Sequence, residues 1–506
     1  MKIWSPALVK QSLSSHSWLG LLSGGLIYLV CLTGTLVVFS DELKRWESPY
    51  VDENLSYESA LVEKAINEFL LSDKLEDETL SVVLPSPTLP RTILYTGEFS
   101  DVFYGDRAWL IDAKGSISTQ IEQKWTGLLL HLHFYLGLPA TLGAVVVGIL
   151  GTLLIALIIS GFFSHPRIFR DAFRLRLTGF WRLRFTGFRR LEQADIHNRL
   201  SVWGAPFHLM IAITGAYFGL AAEILPVVAD AFYAGDIDAV DGSVYGEAPE
   251  LEDQTYPVAV ATALESMKSI APDATPFRID VYGVGGPYQS LSISAAHHQR
   301  LVFEELYRFD SRGRYVDSPN LANGSIGRQV VHSAFRLHFG YFGGLPVRIF
   351  YGILGLALTI VSVTGGNVWL ARRKTRDYLN CLWAALVWGP PAALALTAIT
   401  QVIFGIPSET IFWGLLLAAI IVCLWQRNHR KGEQLLQGAC ALSLGALFVG
   451  HWLTFGAAAL NAAAGAVNLA IVATGVIMGM LAFKRDPSID AAIDPVDPAG
   501  SSLDSL

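Results

Sequence analysis

The stretch LHLHFYLGLP, residues 130–139, stands directly before a long apolar run, and much of it returns as LHFGYFGGLP at 337–346. Beyond LHF (132–134 and 337–339) the echo continues through GLP (137–139 and 344–346) and GILG (148–151 and 352–355) to Gly161 and Gly365. Upstream, HSWLGLLSGGLIYLVCLTG (16–34) aligns with HNRLSVWGAPFHLMIAITG (197–215), each opening on His and closing on Thr-Gly. The intervening segments repeat as well. Each starts with a helix-like run after a tyrosine (56–70 and 255–269) and closes on a hairpin, LIDAKGSIS (110–118) and YRFDSRGRYV (307–316), whose D-x-x-G turn supplies glycine where positive φ is cheap. Residues 1–165 and 190–375 therefore read as two copies of one unit: helix, small α+β domain, helix.

The chain has 506 residues, 52% of them hydrophobic and only 16% charged, with a mean hydropathy of +0.42. A span needs about 20 apolar residues to cross a hydrocarbon core of roughly 30 Å. The run Trp18–Phe39 meets that length, and is too long for a signal-peptide core, so it reads as a retained anchor. Further spans are expected near 139–163, 201–225, 346–371, 382–404, 409–426, 435–455 and 463–483. The fold class is thus a polytopic α-helical membrane protein of about eight transmembrane helices, with duplicated helix–α+β–helix units and four C-terminal helices. In residue terms the plan is a first helix in 1–40, an external domain at 41–127, a second helix in 128–164 and a basic loop at 165–199. A third helix (200–225), a second external domain (226–328) and a fourth helix (329–376) complete the second copy. Four more helices (377–484) and an acidic, disordered tail (485–506) follow.

The loop 165–199 holds nine arginines against three acids, which by the positive-inside rule places it in the cytoplasm with both termini. Anionic lipid is a partner that such a loop can hold, although topology alone accounts for its charge. No nucleic acid is expected as a partner. The four cysteines lie in or beside apolar spans with no CxxC, so no disulfide framework or thiolate metal site is expected.

The duplication changes the reading of the histidines. It returns His16 as His197 and His133 as His338, one pair at the cytoplasmic ends of the helices and one at the external ends. Two copies in the same orientation imply a pseudo-twofold axis along the membrane normal, which would bring each pair face to face at one depth. Two facing imidazoles at each of two depths is the arrangement for two six-coordinate haems. Zinc wants four N/S/O ligands and non-haem iron a 2-His-1-carboxylate face, and neither is visible within the spans. Gly20, Gly24, Gly34 and Gly215 offer room for a flat macrocycle, although close helix packing explains glycine equally. His131 and His208 are alternates. His131 lies about 200° around a helix from His133, while an ungapped GLP alignment would pair it with His338; His208 breaks the repeat, its counterpart being Ile27. His332, His451, His297, His298, His165 and His429 have no repeated partner.

With these motifs in view, the chain resembles the PepSY-associated transmembrane helix family, iron-regulated inner-membrane proteins that include bacterial ferric-siderophore reductases. The matching residues are HSWLGL…LTG, LHFYLGL…GILG, IHNRLSVWG…ITG, LHFGYFGGLP…VTGGNVWLARR and the D-x-x-G hairpins, over roughly 1–376. The external modules look like PepSY domains. The resemblance implies an oxidoreductase of the bacterial inner membrane with two haem b groups on His16, His133, His197 and His338. It would pass electrons to ferric iron or a ferric siderophore in the periplasm. No nucleotide-binding fingerprint is built in, so the donor, quinol or a reduced flavin, would come from elsewhere. The C-terminal helices fall outside the resemblance; quinol binding, scaffolding and assembly of a homo-oligomer are all open for them. Two rival functions remain at this level: a membrane-anchored PepSY protein that binds or regulates a periplasmic partner, and a quinol-linked cytochrome b with another acceptor. A transporter fits less well, because the helix pairs repeat in parallel and lack charged midplane residues.

Overall fold

The computed structural model describes residues 4–72, 79–97, 107–121, 124–165, 167–173, 190–247, 251, 257–284, 286, 288–298, 300–373 and 376–483. The acidic tail and residues 174–189 of the basic loop lie outside them. Eight described helices are long and apolar enough to cross a membrane.

Helix α1 (Pro6–Val37) begins where Ser5 accepts the Leu8 N–H and proline occupies the first turn. The short α2 (Ser40–Glu47) and α3 (Ser59–Leu70) lead into β1 (79–83), β2 (92–96), β3 (108–111) and β4 (117–120). The chain re-enters through α4 (Trp125–Tyr135) and α5 (Ala140–Ser164). These are two helices. Leu136 and Gly137 adopt positive φ, and Pro139 then caps α5. After α6 (Ile168–Phe173), the second copy runs α7 (Arg190–Trp203), α8 (Ala205–Phe232), α9 (Ile237–Tyr245) and α10 (Val260–Ile270). Strands β5 (274–282), β6 (290–297), β7 (305–310) and β8 (315–317) come next, then α11 (Ile326–Phe339) and α12 (Gly344–Leu370). The basic segment therefore ends in helix, and His197 sits on α7.

The two segments between the membrane helices, expected from sequence to be external, meet in one antiparallel sheet of order β4-β3-β2-β1-β5-β6-β7-β8. The central pair β1–β5, with Ser81 opposite Asp280 and Val82 opposite Ile279, is where the copies join. This order is symmetric about that pair, as a pseudo-twofold requires. One face is apolar: Leu80, Val82, Ile279, Val281, Leu291 and Ile293 pack under α3 and α10. The alternate residues, including Ser81, Arg278, Asp280, Ser292 and Ser294, turn to the other face and are also buried. The D-x-x-G hairpins fold alike. Asp112 Oδ1 accepts the N–H groups of Lys114 and Ser116, and Asp310 Oδ1 those of Arg312 and Arg314. Gly115 (φ +72°) and Gly313 (φ +76°) lie so close to Leu61 and Ala259 that a Cβ would come within 2.8 and 2.7 Å of their carbonyl oxygens.

In the membrane region α1 packs on α5 and α12, and α5 packs on α8, giving a four-helix core. Helices α13 (Tyr378–Ala398, continued by a π turn to Ile403), α14 (Glu409–Gln426), α15 (His429–Phe455) and α16 (Ala462–Ala482) form a second bundle.

Candidate functional site

Four imidazoles form two facing pairs inside the four-helix core. The rings of His16 (α1) and His197 (α7) have centroids 6.2 Å apart with planes at 72°, and those of His133 (α4) and His338 (α11) are also 6.2 Å apart, at 29°. The carbonyl beneath His133 belongs to Val30, 14 residues along α1 from His16, so the pairs stand about 21 Å apart in depth at ~1.5 Å per residue.

Each ring is held through Nδ1. His16 Nδ1–H donates to the Leu157 carbonyl (3.0 Å), His197 to the Val361 carbonyl (3.1 Å) and His133 to the Val30 carbonyl (3.0 Å). A carbonyl only accepts, so these contacts place the proton on Nδ1 and leave the Nε2 lone pair free. His338 reaches the same state through the Thr214 hydroxyl at 2.8 Å, which itself donates to the Met210 carbonyl. Ser160 and Thr364 stand at corresponding places beside His16 and His197.

Glycine flanks every ring. A Cβ at Gly161 would lie 3.2 Å from His16 Cε1, at Gly365 3.3 Å from His197, at Gly215 3.3 Å from His338, and at Gly34 only 2.6 Å from His133. Of the glycines singled out from sequence, Gly34 and Gly215 are in place. Gly20 instead faces Leu157, and Gly24 faces open space. Gly161 and Gly365 were visible in the repeat, ten residues beyond GILG, but nothing local tied them to a histidine. Around the His133–His338 pair is a mostly apolar cavity of about 330 Å³, whose walls include Gly34, Gly215, Phe134, Phe218, Phe339 and Leu150.

The geometry suits a bis-imidazole haem. Each pair would offer two imidazole Nε2 lone pairs from rings 6.2 Å apart, the donor set by which haem iron is held in b-type sites. Backbone acceptors on Nδ1 are the second-shell contacts that orient such ligands.

The alternates lie elsewhere. His131 Nδ1 is 3.1 Å from Glu409 of α14, turned toward the C-terminal bundle. His208 is buried against Gly204 of the preceding turn, its Nε2 without a hydrogen-bond partner, and it faces no second imidazole among the described residues. His332 bonds the Val244 carbonyl, and His297 the Tyr307 hydroxyl.

A sequence model of the PepSY-associated TM region matches residues 13–372. The chain belongs to this family. An uncharacterized protein of Pseudomonas aeruginosa, PA4219, is 26% identical over 263 residues, which are 49% of this chain and 64% of that one. The chain thus covers a little under two thirds of this relative.

The family match ends before α13, and the four helices beyond it attach to one side of the PepSY-associated core. Tyr28 on α1 donates to the Val387 carbonyl (2.6 Å), and Trp383 donates to Asn367 on α12 (2.8 Å). At the end nearer the sheet the Trp46 indole N–H donates to Asn468 Oδ1 (2.9 Å), and His451 Nε2–H donates to the Trp46 carbonyl (2.9 Å) while its ring stacks on the indole at 4.7 Å. His451 is therefore a packing residue, fully paired within this contact. Its partner Trp46 is 405 residues distant in sequence, so no local signal revealed the contact.

Proposed function

We propose that this PepSY-associated membrane protein is an oxidoreductase that carries electrons across the bacterial inner membrane through two haem b groups to ferric iron or a ferric siderophore in the periplasm. The observation that carries this reading is the pair of facing imidazoles at each of two depths, every one with Nδ1–H donated and Nε2 free. His16 and His197 would hold the inner group and His133 and His338 the outer one. Bound haem supplies a one-electron centre that cycles between ferric and ferrous iron. The chain's own part is to orient the imidazoles through the Leu157, Val361 and Val30 carbonyls and the Thr214 hydroxyl. Its glycines keep side chains off the ring edges, and its apolar walls exclude water from the outer pair. The electron donor in this reading is quinol or a reduced cytosolic flavin, and both termini and the basic loop lie on the cytoplasmic side.

A rival reading makes the external sheet a binding module and the helices its anchor. It accounts for the sheet but assigns no role to four symmetrically held histidines. Absorption spectra of the purified chain separate the two. The redox reading expects a Soret band, sharp reduced α and β bands and two haems per chain. His16→Ala should remove the inner haem and His338→Ala the outer one, each leaving one haem. A purified, folded chain with no Soret band overturns it.

A further inference from the structure

Resting on that reading, we propose that the electron leaves the outer site through copy two only, along an aromatic ladder that ends at Phe277 and Phe303, and that this end is where a soluble ferric chelate is reduced. The ladder starts beside the outer pair: the His338 ring lies 5.3 Å from Phe339, and His133 lies 5.6 Å from Phe134, which meets Phe339 at 6.2 Å. Phe339 then stacks on Phe335 (4.3 Å), Phe335 touches Phe303 (4.1 Å), and Phe303 touches Phe277 (5.1 Å) on β5. Phe277 and Phe303 are both partly exposed, and the Arg278 guanidinium lies 6.0 Å over the Phe277 ring.

Two further observations point the same way. In copy one the place of Phe335 is taken by the buried Leu130, so the ladder departs from the repeat. The face of α4 that carries His131 is occupied by Glu409 of the C-terminal bundle, so that face of copy one offers no matching route to the external domain. The rung at Phe303 is also held in place. Arg336 donates to the carbonyls of Arg300 and Phe303, and Arg300 donates to that of Ala322. Electron transfer weakens steeply with the gap to be crossed, and close-packed π systems shorten each gap. In the step itself the reduced group that His133 and His338 would hold would give up one electron, and one ferric ion in the chelate would become ferrous. No bond or proton of the chain moves.

The test is anaerobic stopped-flow reoxidation of the dithionite-reduced protein by ferric tris(acetohydroxamate), followed in the haem α band. Phe303→Leu should slow reoxidation roughly tenfold or more, with haem content and midpoint potentials unchanged, and Phe303→Trp should restore most of the rate. Tyr288→Leu, an exposed aromatic elsewhere on the external domain, should match the parent. Equal rates for Phe303→Leu and the parent, both with two intact haems, overturn the ladder and leave the haem reading standing. A parent protein without haem overturns both.

Discussion

Gly34 and the imidazole of His133 meet so closely that a single methyl group at position 34 would stand 2.6 Å from His133 Cε1. The ring cannot back away without stretching its 3.0 Å bond to the Val30 carbonyl, one turn earlier on the same helix. Gly34→Ala should therefore displace His133 at a cost of about 1–3 kcal/mol from overpacking and, on the haem reading proposed above, lower haem content from two toward one per chain. Gly161→Ala, where the gap to His16 is 3.2 Å, should keep both haems and shift only the inner midpoint potential. Pyridine haemochrome assay and redox titration check both, and full haem retention in Gly34→Ala would contradict the placement of His133.

The two pairs differ in the angle between imidazole planes, 72° inside and 29° outside. Near-perpendicular ligand planes leave the iron dπ orbitals almost degenerate, whereas near-parallel planes split them. If the two pairs hold haem as proposed, low-temperature EPR of the oxidised protein should show two low-spin signals, one highly anisotropic and one rhombic. His16→Ala should abolish the first, and His338→Ala the second.

Asn468 joins three groups at the external end of the C-terminal bundle: it accepts from Trp46 and donates to the Ala459 carbonyl (3.0 Å) and to His451 Nδ1 (3.3 Å). Asn468→Ala leaves buried polar groups unpaired, and should lower stability by about 1–3 kcal/mol. Trp46→Phe removes the indole N–H from the same contact, so the double variant should lose less than the sum, with a coupling of about 0.5–3 kcal/mol. Unfolding midpoints in one detergent test this, and strict additivity would mean the contact does not dock the bundle.

Glu47, at the end of α2, accepts the N–H (2.5 Å) and hydroxyl (2.8 Å) of Thr126. Burial outweighs these bonds and pushes its carboxyl from 4.5 up to about 7. The folded chain then binds this proton more tightly than the unfolded chain does, so the protonated form favours folding. Its contribution is full below about pH 4.5, is lost as pH rises toward 7 and stays lost above it. Glu47→Gln should flatten that part of the stability profile, measured as the thermal midpoint against pH. An unchanged slope would show that another group sets it.

Much of the molecule is legible from one sequence because its information is periodic. Eight apolar runs follow from the length a bilayer demands, and the recurrence of LHF, GILG and Thr-Gly picks four histidines from twelve. A duplicated unit carries its symmetry in its residue order, so the pairing of His16 with His197 was readable without coordinates, and that of His338 with a histidine of LHLHF was readable up to the choice between His131 and His133. Three features were decided only by packing. The external segments share one sheet because edge strands β1 and β5 satisfy each other's backbone groups across the pseudo-twofold, a pairing that no local pattern specifies. His131 and His133 were told apart because a break at Leu136–Pro139 leaves α4 free to turn one histidine to Glu409 and the other to His338. The C-terminal helices found their seat through Trp46, His451 and Asn468, whose hydrogen bonds join residues that share no period. Periodicity records which faces are apolar and which units repeat, whereas these contacts depend on where distant segments come to rest.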